Sequence, residues 1–203
     1  AGPVPPAPKI DPATHSHHRL GEAGDGCVDC HMPQTVYMQR HARRDHGFTI
    51  PDPLLTKEHG IPNACNRCHS DETTEWALDA VQKWYGPRMD RPTRTRARWI
   101  AQARAGQGNA AENLVRLLRE EKIPLWRAAV AGLLKRWSSE TPVTATLLER
   151  TRDTNALVRA MAARSLESLV PTRTPTVQNA LRELLNDPVR AVRIEAAWAL
   201  RSS

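Results

Sequence analysis

Apolar residues recur at helical spacing from Thr73 onward. The first such stretch has apolar side chains at steps of one, three and four residues, at Trp76, Ala77, Ala80, Val81 and Trp84. Gly86-Pro87 is expected to end this helix, because glycine and proline stop helical runs. A second helix is predicted from Thr93 to Ala105, with Gly106 at its end. The chain is therefore predicted to be mostly α-helical beyond Thr73.

The hydrophobic pattern repeats beyond Gly106. An apolar residue followed by arginine and then alanines recurs at Arg127, Arg159 and Arg193, in steps of 32 and 34 residues. Each repeat has a first helix, a turn with Pro or Asp and an Ala-rich second helix. The first helices are predicted at 114–118, 143–148 and 177–185, and the turns at Pro124, Asp153 and Asp187-Pro188. Trp126, Trp137 and Trp198 are predicted to pack in the core. Repeats of this length are typical of helical solenoids.

The first 72 residues lack this periodicity. Residues 1–12 contain five prolines, which disfavour a helix or a central strand and favour a polyproline II arm. Four more prolines interrupt residues 15–72. The sequence thus predicts a Pro-rich arm at 1–14, a small irregular domain at 15–72 and a helical-repeat domain at 73–203.

Composition excludes a membrane-spanning chain and reveals a charge imbalance. The 203 residues have a mean hydropathy of −0.55, and no apolar run approaches the length needed to cross a bilayer. Residues 1–74 hold 7 Lys+Arg against 9 Asp+Glu, whereas residues 75–203 hold 22 against 13. The sequence starts at Ala1 with no initiator Met or apolar leader, which predicts a mature exported protein in the periplasm, at the cell surface or outside the cell.

Two C-x-x-C-H motifs carry the candidate chemistry. Cys27, Cys30 and His31 form the first motif, and Cys65, Cys68 and His69 form the second. In such a motif two thiols add to the vinyl groups of one haem and the histidine ligates its iron. A zinc site, two disulfides or two redox dithiols would use the same cysteines. Histidine occupies 8 of 203 positions, so chance would place it after both motifs in only about 0.2% of cases, which favours two covalently attached haem c groups.

The sixth position of each iron decides between electron transfer and catalysis. All four cysteines and all eight histidines lie within residues 15–69. The candidate ligands are His15, His17, His18, His41, His46, His59, Met32 and Met38. We expect the ligands to be histidines and the methionines to pack against haem. The haems are expected to form the core of this segment, which should be unfolded without them. Asp45 is expected either to accept a hydrogen bond from a ligand ring or to pair with Arg43 or Arg44.

These motifs and their surroundings resemble the exported multihaem cytochromes c that have paired C-x-x-C-H motifs and C-terminal helical repeats of HEAT or tetratricopeptide type. The resemblance is most detailed over residues 27–106. It implies bis-histidine ligation, with His31 and His69 as proximal ligands, His18 and His46 as distal ligands and His15 as the reserve. It also implies that the repeat arginine pairs with an acid or carbonyl of the neighbouring repeat.

The chain departs from that family in having two motifs without further haems upstream. This leaves open whether His15 or His18 ligates the haem of a neighbouring subunit. The expected fold is a small irregular dihaem c-type cytochrome domain followed by an α-helical HEAT-like solenoid.

The function expected from these features is electron transfer rather than enzymatic catalysis. The partners are expected to be other redox proteins or copies of the chain itself, in a homo-oligomer or head-to-tail filament, because four haem propionates would oppose the basic repeats. No nucleic-acid partner is expected. The alternatives are a haem enzyme with one open iron and a domain of a larger multihaem oxidoreductase.

Overall fold

The structure of the chain is a computed structural model that describes residues 9–170 and 175–201. The predicted polyproline II arm falls mainly on residues 1–8, outside the described residues. The chain divides into two compact units, the first unit at Ala1–Arg94 and the second unit at Thr95–Ser203.

The first unit consists of short elements joined by turns. They are α1 (Pro12–Ser16), α2 (Cys27–His31), β1 (Gln34–Tyr37), β2 (His41–Arg44), α3 (Pro53–His59), α4 (Cys65–Cys68) and α5 (Thr74–Tyr85). Proline was expected to continue the arm up to Pro12, but Pro12 begins α1. Its ring is tolerated in the first helical turn, where no hydrogen bond is required of its nitrogen, and Asp11 accepts a hydrogen bond from the Thr14 backbone N–H as the cap.

The two strands form an antiparallel hairpin that the sequence pattern did not indicate. Gln34 pairs with Arg44 and Tyr37 with His41. In the connecting loop, Met38 and Gln39 have positive φ values of 49° and 62°. All strand residues except Arg44 are exposed, so no alternation of apolar and polar residues was available to predict a strand.

Helix α5 confirms the first predicted helix. The Thr73 side chain accepts a hydrogen bond from the Trp76 backbone N–H, and the helix ends before Gly86, whose φ is 45°. Ala77 and Val81 are buried, and α5 packs against α3 and α4. This helix, which the sequence placed at the start of the repeat domain, therefore lies in the first unit.

The next helix, α6 (Pro92–Ala105), agrees with the helix predicted up to Gly106, and the division into units falls inside it. In the first unit, the Arg94 guanidinium donates to both oxygens of Asp52, at 2.7 and 2.9 Å, and both side chains are nearly buried. Asp52 immediately precedes α3, so this ion pair connects the start of α6 to α3.

The second unit contains the three predicted helix pairs. They are α7 (Ala110–Glu120) with α8 (Pro124–Leu133), α9 (Thr141–Arg150) with α10 (Ala156–Leu166), and α11 (Pro175–Leu184) with α12 (Arg190–Leu200). Helix α10 packs against both α8 and α12. Leucine and valine side chains fill the core, as expected for a mostly α-helical solenoid. Pro124 begins α8 rather than lying in the turn before it.

The repeat arginines form a ladder between successive helix pairs, as the resemblance implied. Arg127 donates to both oxygens of Asp153 at 3.1 and 3.0 Å, and Arg159 donates to both oxygens of Asp187 at 2.7 and 2.9 Å. Arg193 differs from the other two, because it donates at 2.7 Å to the carbonyl oxygen of Asp187, in the turn of its own helix pair. Arg96 donates one hydrogen bond to the Glu121 carboxylate at 2.8 Å, so the ladder begins one step earlier than the sequence predicted.

The tryptophan predictions are partly wrong. Trp126 and Trp137 pack against the core of the second unit, but Trp198 is 59% exposed. The side chain of Arg201 covers one face of its ring, at 4.2 Å from the ring centroid. Among the described residues, no helix is long and apolar enough to cross a membrane.

Candidate functional site

The first C-x-x-C-H motif lies on α2 and is held by the hairpin. Arg44 at the end of β2 donates to the carbonyl oxygens of Val28 and Met32, at 3.0 and 3.3 Å, and to the carboxylate of Asp29 at 3.1 Å. One guanidinium thus satisfies carbonyls at the end of a short helix that has few internal hydrogen bonds. Asp45 accepts from the Gly47 backbone N–H at 2.8 Å. Among the described residues it makes neither expected contact, since Arg44 pairs with Asp29 and Arg43 lies over the Tyr37 ring.

The His31 ring is oriented by the segment that follows the hairpin. Its Nδ1 donates to the carbonyl oxygen of Thr49 at 2.8 Å, and the Thr49 N–H donates back to the His31 carbonyl at 2.9 Å. The ring also stacks on Phe48, with centroids 4.8 Å apart. Because Nδ1 carries the donated proton, Nε2 has the lone pair that an iron requires.

The second motif lies on α4, where asparagine side chains replace the arginine. The Asn63 amide donates to the Thr56 hydroxyl at 2.9 Å and to the Asn66 side chain at 3.0 Å, while Asn66 donates to the carbonyl oxygens of Glu72 and Thr73. Asn66 stands inside the motif between Cys65 and Cys68. The motif is therefore linked both to α3 and to the start of α5.

A histidine-rich segment before the first motif supplies two further rings. His15 lies in α1, His17 follows it with a positive φ of 59°, and His18 comes next. The Nδ1 of His18 donates to the Ser16 carbonyl at 2.8 Å, and in a neutral imidazole with this tautomer the Nε2 lone pair is free for a metal.

Gly24 lies against the His18 ring. Its φ is +91°, and a Cβ atom at this position would lie 2.8 and 2.9 Å from Cδ2 and Nε2 of His18. Only glycine provides both the backbone conformation and the space for the ring.

The fold places these two rings opposite the motif histidines. The ring centroids of His15 and His31 are 6.0 Å apart, and those of His18 and His69 are also 6.0 Å apart. Two imidazoles that ligate one metal from opposite faces, with metal–nitrogen distances of about 2 Å, have ring centroids roughly 6 Å apart. Each of the two observed separations therefore matches the distance between two histidine ligands of one haem iron.

Other candidate ligands are not brought to the motif histidines. His46 is exposed, and within the described residues it makes no ring contact with His31 or His69. Met38 is 75% exposed in the hairpin loop. His59 ends α3, and its Nε2 is buried. The carboxylate of the preceding residue, Glu58, lies 3.7 Å from this Nε2.

The four thiols are free in this structure, so the disulfide alternative receives no support. Within residues 9–170 and 175–201, no group of three or more His, Cys, Asp or Glu side chains is placed to hold a metal ion, and the zinc alternative gains no support either. Burial, followed by the charge of Asp29, raises the pKa of Cys30, and burial followed by the charge of Cys30 raises the pKa of Cys65. The charge of Cys30, in the first motif, thus contributes to the raised pKa of Cys65 in the second motif.

Two aromatic residues at the end of α5 also belong to the site, although the sequence assigned them no role. Trp84 stacks on His17, with ring centroids 4.1 Å apart, and the Tyr85 hydroxyl donates to the backbone carbonyl of His15. Partial burial, and next the charges of Cys30 and Cys65, raise the pKa of the Tyr85 hydroxyl. Tyr85 thus lies near one thiol of each motif.

Comparisons with known families agree with both parts of the structure. The sequence model of the cytochrome c552 family matches residues 13–128, more than half of the chain. The model of HEAT repeats matches residues 144–203. No curated protein and no solved structure shows a significant match to the chain.

Proposed function

This chain belongs to the cytochrome c552 family, and we propose that it is a dihaem protein with bis-histidine ligation at both irons. The family supports a c-type cytochrome that transfers electrons and has covalently bound haem c. Members of this family are generally exported to the periplasm. Export of this chain to the periplasm, the cell surface or the exterior is part of the proposal.

The observation that supports the ligation is the pair of histidine separations. His31 with His15, and His69 with His18, have ring centroids 6.0 Å apart. We therefore propose His15 and His18 as the distal ligands in place of the predicted combination of His18 and His46. The four cysteines would attach the porphyrins, and a bound haem c supplies an iron that alternates between its ferric and ferrous states.

Ligation by two histidines favours electron transfer over catalysis. A haem iron held by two histidines would offer a small molecule no open coordination position. The chain's own residues then act by holding the ligands: Thr49 and Ser16 fix the tautomers of His31 and His18 through their carbonyl oxygens.

The proposed pairing would hold two haems near each other. His15 and His18 are three residues apart in the chain, and Cys30 and Cys65 interact electrostatically. Closely spaced centres favour rapid electron exchange within one molecule.

The haem count and the ligation can be tested separately. Intact-mass spectrometry of the exported protein should show two covalently bound haems, and the absorption spectrum should show six-coordinate low-spin iron. His15→Ala and His18→Ala should each open one of the two irons to carbon monoxide, whereas His46→Ala and His59→Ala should not. If His46→Ala opens an iron to carbon monoxide and His15→Ala does not, the distal ligands are His18 and His46, as predicted from the sequence.

A glycine pair offers a sharper test of the position of His18. Gly24→Ala should displace the His18 ring and open one iron. Gly21→Ala is the matched control, because Gly21 also has a positive φ, of +85°, but a Cβ atom there would meet no other atom within 4 Å. Equal spectra for the two variants would contradict the placement of His18 at an iron.

A head-to-tail assembly is a second candidate function, and we propose other redox proteins or copies of the chain as its partners. Helix α12 favours it, because Ile194 and Trp198 lie one turn apart on one face and are 54% and 59% exposed. Size-exclusion chromatography at increasing concentration and low salt should show assembly that Trp198→Ser reduces. A monomer under all these conditions would exclude the filament.

A further inference from the structure

The histidine-rich segment at residues 9–26 contains no buried residue. Helix α1 has only five residues, and its capping hydrogen bonds, between Asp11 and Thr14, are local. A segment of this kind cannot be positioned by a hydrophobic core, since it has none of its own. A small number of contacts with other elements must therefore determine where His15 and His18 lie.

The end of α5 supplies these contacts. The Tyr85 hydroxyl donates to the backbone carbonyl of His15, and the Tyr85 ring centroid is 5.9 Å from that of His15. Trp84 stacks on His17 with an interplanar angle of 15°. Neighbouring side chains of one helix thus hold both His15 and the residue next to His18.

Helix α5 is itself firmly placed beside the second motif. It begins at Thr74, five residues after His69, and its buried Ala77 and Val81 pack within the first unit. Near its start, Trp76 contacts the His69 ring, with centroids 4.8 Å apart. One rigid helix therefore contacts a motif histidine at its beginning and the upstream histidines at its end.

We infer that Tyr85 and Trp84 are positioning residues that hold the segment of His15 and His18 in place for iron ligation. The inference rests on the proposed bis-histidine ligation. Tyr85 acts through a backbone hydrogen bond rather than by contact with iron, and Trp84 acts by stacking on His17. Helix α5 would thus set the geometry of distal ligands that are distant in sequence.

The test compares the two tyrosines of the chain. Tyr85→Phe removes only the hydroxyl that binds the His15 carbonyl. Tyr37→Phe is the matched control, because Tyr37 is 53% exposed in the hairpin and its ring is covered only by Arg43. The measurement is carbon monoxide binding to the reduced full-length protein, whose rate is limited by release of the distal histidine.

Tyr85→Phe should raise the rate of carbon monoxide binding about two- to tenfold, the effect of one lost hydrogen bond, and Tyr37→Phe should leave it unchanged. The change should concern one of the two haems, the one ligated by His15. Trp84→Leu should accelerate binding as well, with the thermal midpoint of the second unit unchanged.

Two outcomes separate failure of this inference from failure of the proposed function. If the unmodified protein already binds carbon monoxide at one haem without delay, the bis-histidine proposal fails. If it is six-coordinate at both haems and Tyr85→Phe behaves as Tyr37→Phe does, only the positioning role of Tyr85 is overturned. Equal acceleration at both haems together with a lowered thermal midpoint would also overturn it, because that result indicates general destabilisation.

Discussion

The two units bury their side chains to very different extents. Among the described residues, 26 apolar side chains are buried in the second unit and five in the first, and none of residues 9–51 is buried. Both units contain backbone-hydrogen-bonded helices, so they differ in the burial of their side chains and not in secondary structure alone. The second unit is stabilised by its own leucine, valine and alanine side chains, whereas the first unit lacks an apolar core large enough for its length.

The comparison suggests what completes the first unit. Exposed apolar side chains occur in and after the first motif, including Val28, Val36, Met38, Phe48 and Ile50. A porphyrin attached at Cys27 and Cys30 would provide apolar surface for such side chains. We therefore expect the first unit to be organised around its haem, whereas the second unit has a core of protein side chains alone.

The largest expected effect is produced by preventing haem attachment. Replacing all four motif cysteines by serine should unfold most of the first unit, because its protein core is small, while the second unit keeps its helices. Hydrogen exchange should show loss of protection across residues 9–72 and retained protection across 110–170. Retained protection at residues 27–50 in this variant would show that the first unit does not need its haems.

A core substitution in the second unit should destabilise that unit strongly and leave the first unit unaffected. Leu147 is fully buried, and Leu147→Ala should lower the free energy of unfolding of this unit by about 2–5 kcal/mol. The haem absorption spectrum should stay unchanged. Leu157→Ala is the control, since Leu157 is 47% exposed; a spectral change in Leu147→Ala would show that the units are not independent in stability.

Breaking one step of the arginine ladder should have a smaller effect. Arg159→Gln leaves Asp187 without its two guanidinium hydrogen bonds in a nearly buried position, which should destabilise the second unit by roughly 1–4 kcal/mol. Thermal unfolding followed by circular dichroism measures this. Arg190→Gln, at an exposed position, should change stability little, and an equal loss in both variants would contradict a specific role for the ladder.

The smallest effect concerns acid. Hydrogen bonds from Arg159 lower the pKa of Asp187, and at Asp153 the hydrogen bonds and charge of Arg127 outweigh the effect of burial and lower its pKa too. A carboxylate with a lowered folded-state pKa contributes stability that is complete above its ordinary value of 3.8 and is lost as the pH falls through the folded-state pKa. The thermal midpoint of the second unit should therefore be constant from about pH 7 to 5 and fall below about pH 4. Arg159→Gln should reduce this acid dependence, and an unchanged profile would exclude Asp187 as its source.

The fold of the second unit was largely predictable, because helix propensity and apolar periodicity are local properties. The Ala-rich helices, Gly106 and the step between Arg127 and Arg159 are all visible in the sequence. Trp198 was predicted wrongly for the same reason, since helical spacing alone does not show whether a neighbouring helix covers that face.

The site was predictable only in part. Covalent chemistry requires the order C-x-x-C-H, so Cys27, Cys30, Cys65, Cys68, His31 and His69 could be assigned from sequence. The choice among the remaining histidines could not be made in this way. The neighbours of His46, Arg44 and Phe48, contact the first motif, but among the described residues the His46 ring contacts neither motif histidine. The rings of His15 and His18 instead lie 6.0 Å from those of His31 and His69.

By itself the sequence determined the haem attachment motifs and the helical repeats, because each depends on residues at fixed spacings along the chain. Only the tertiary structure decided which histidines face each other, that Gly24 makes room for His18, and that Tyr85 reaches the carbonyl of His15. Tyr85 and His15 are 70 residues apart. Contacts at such separations are set by how turns and short helices pack around one another, and no local spacing records them.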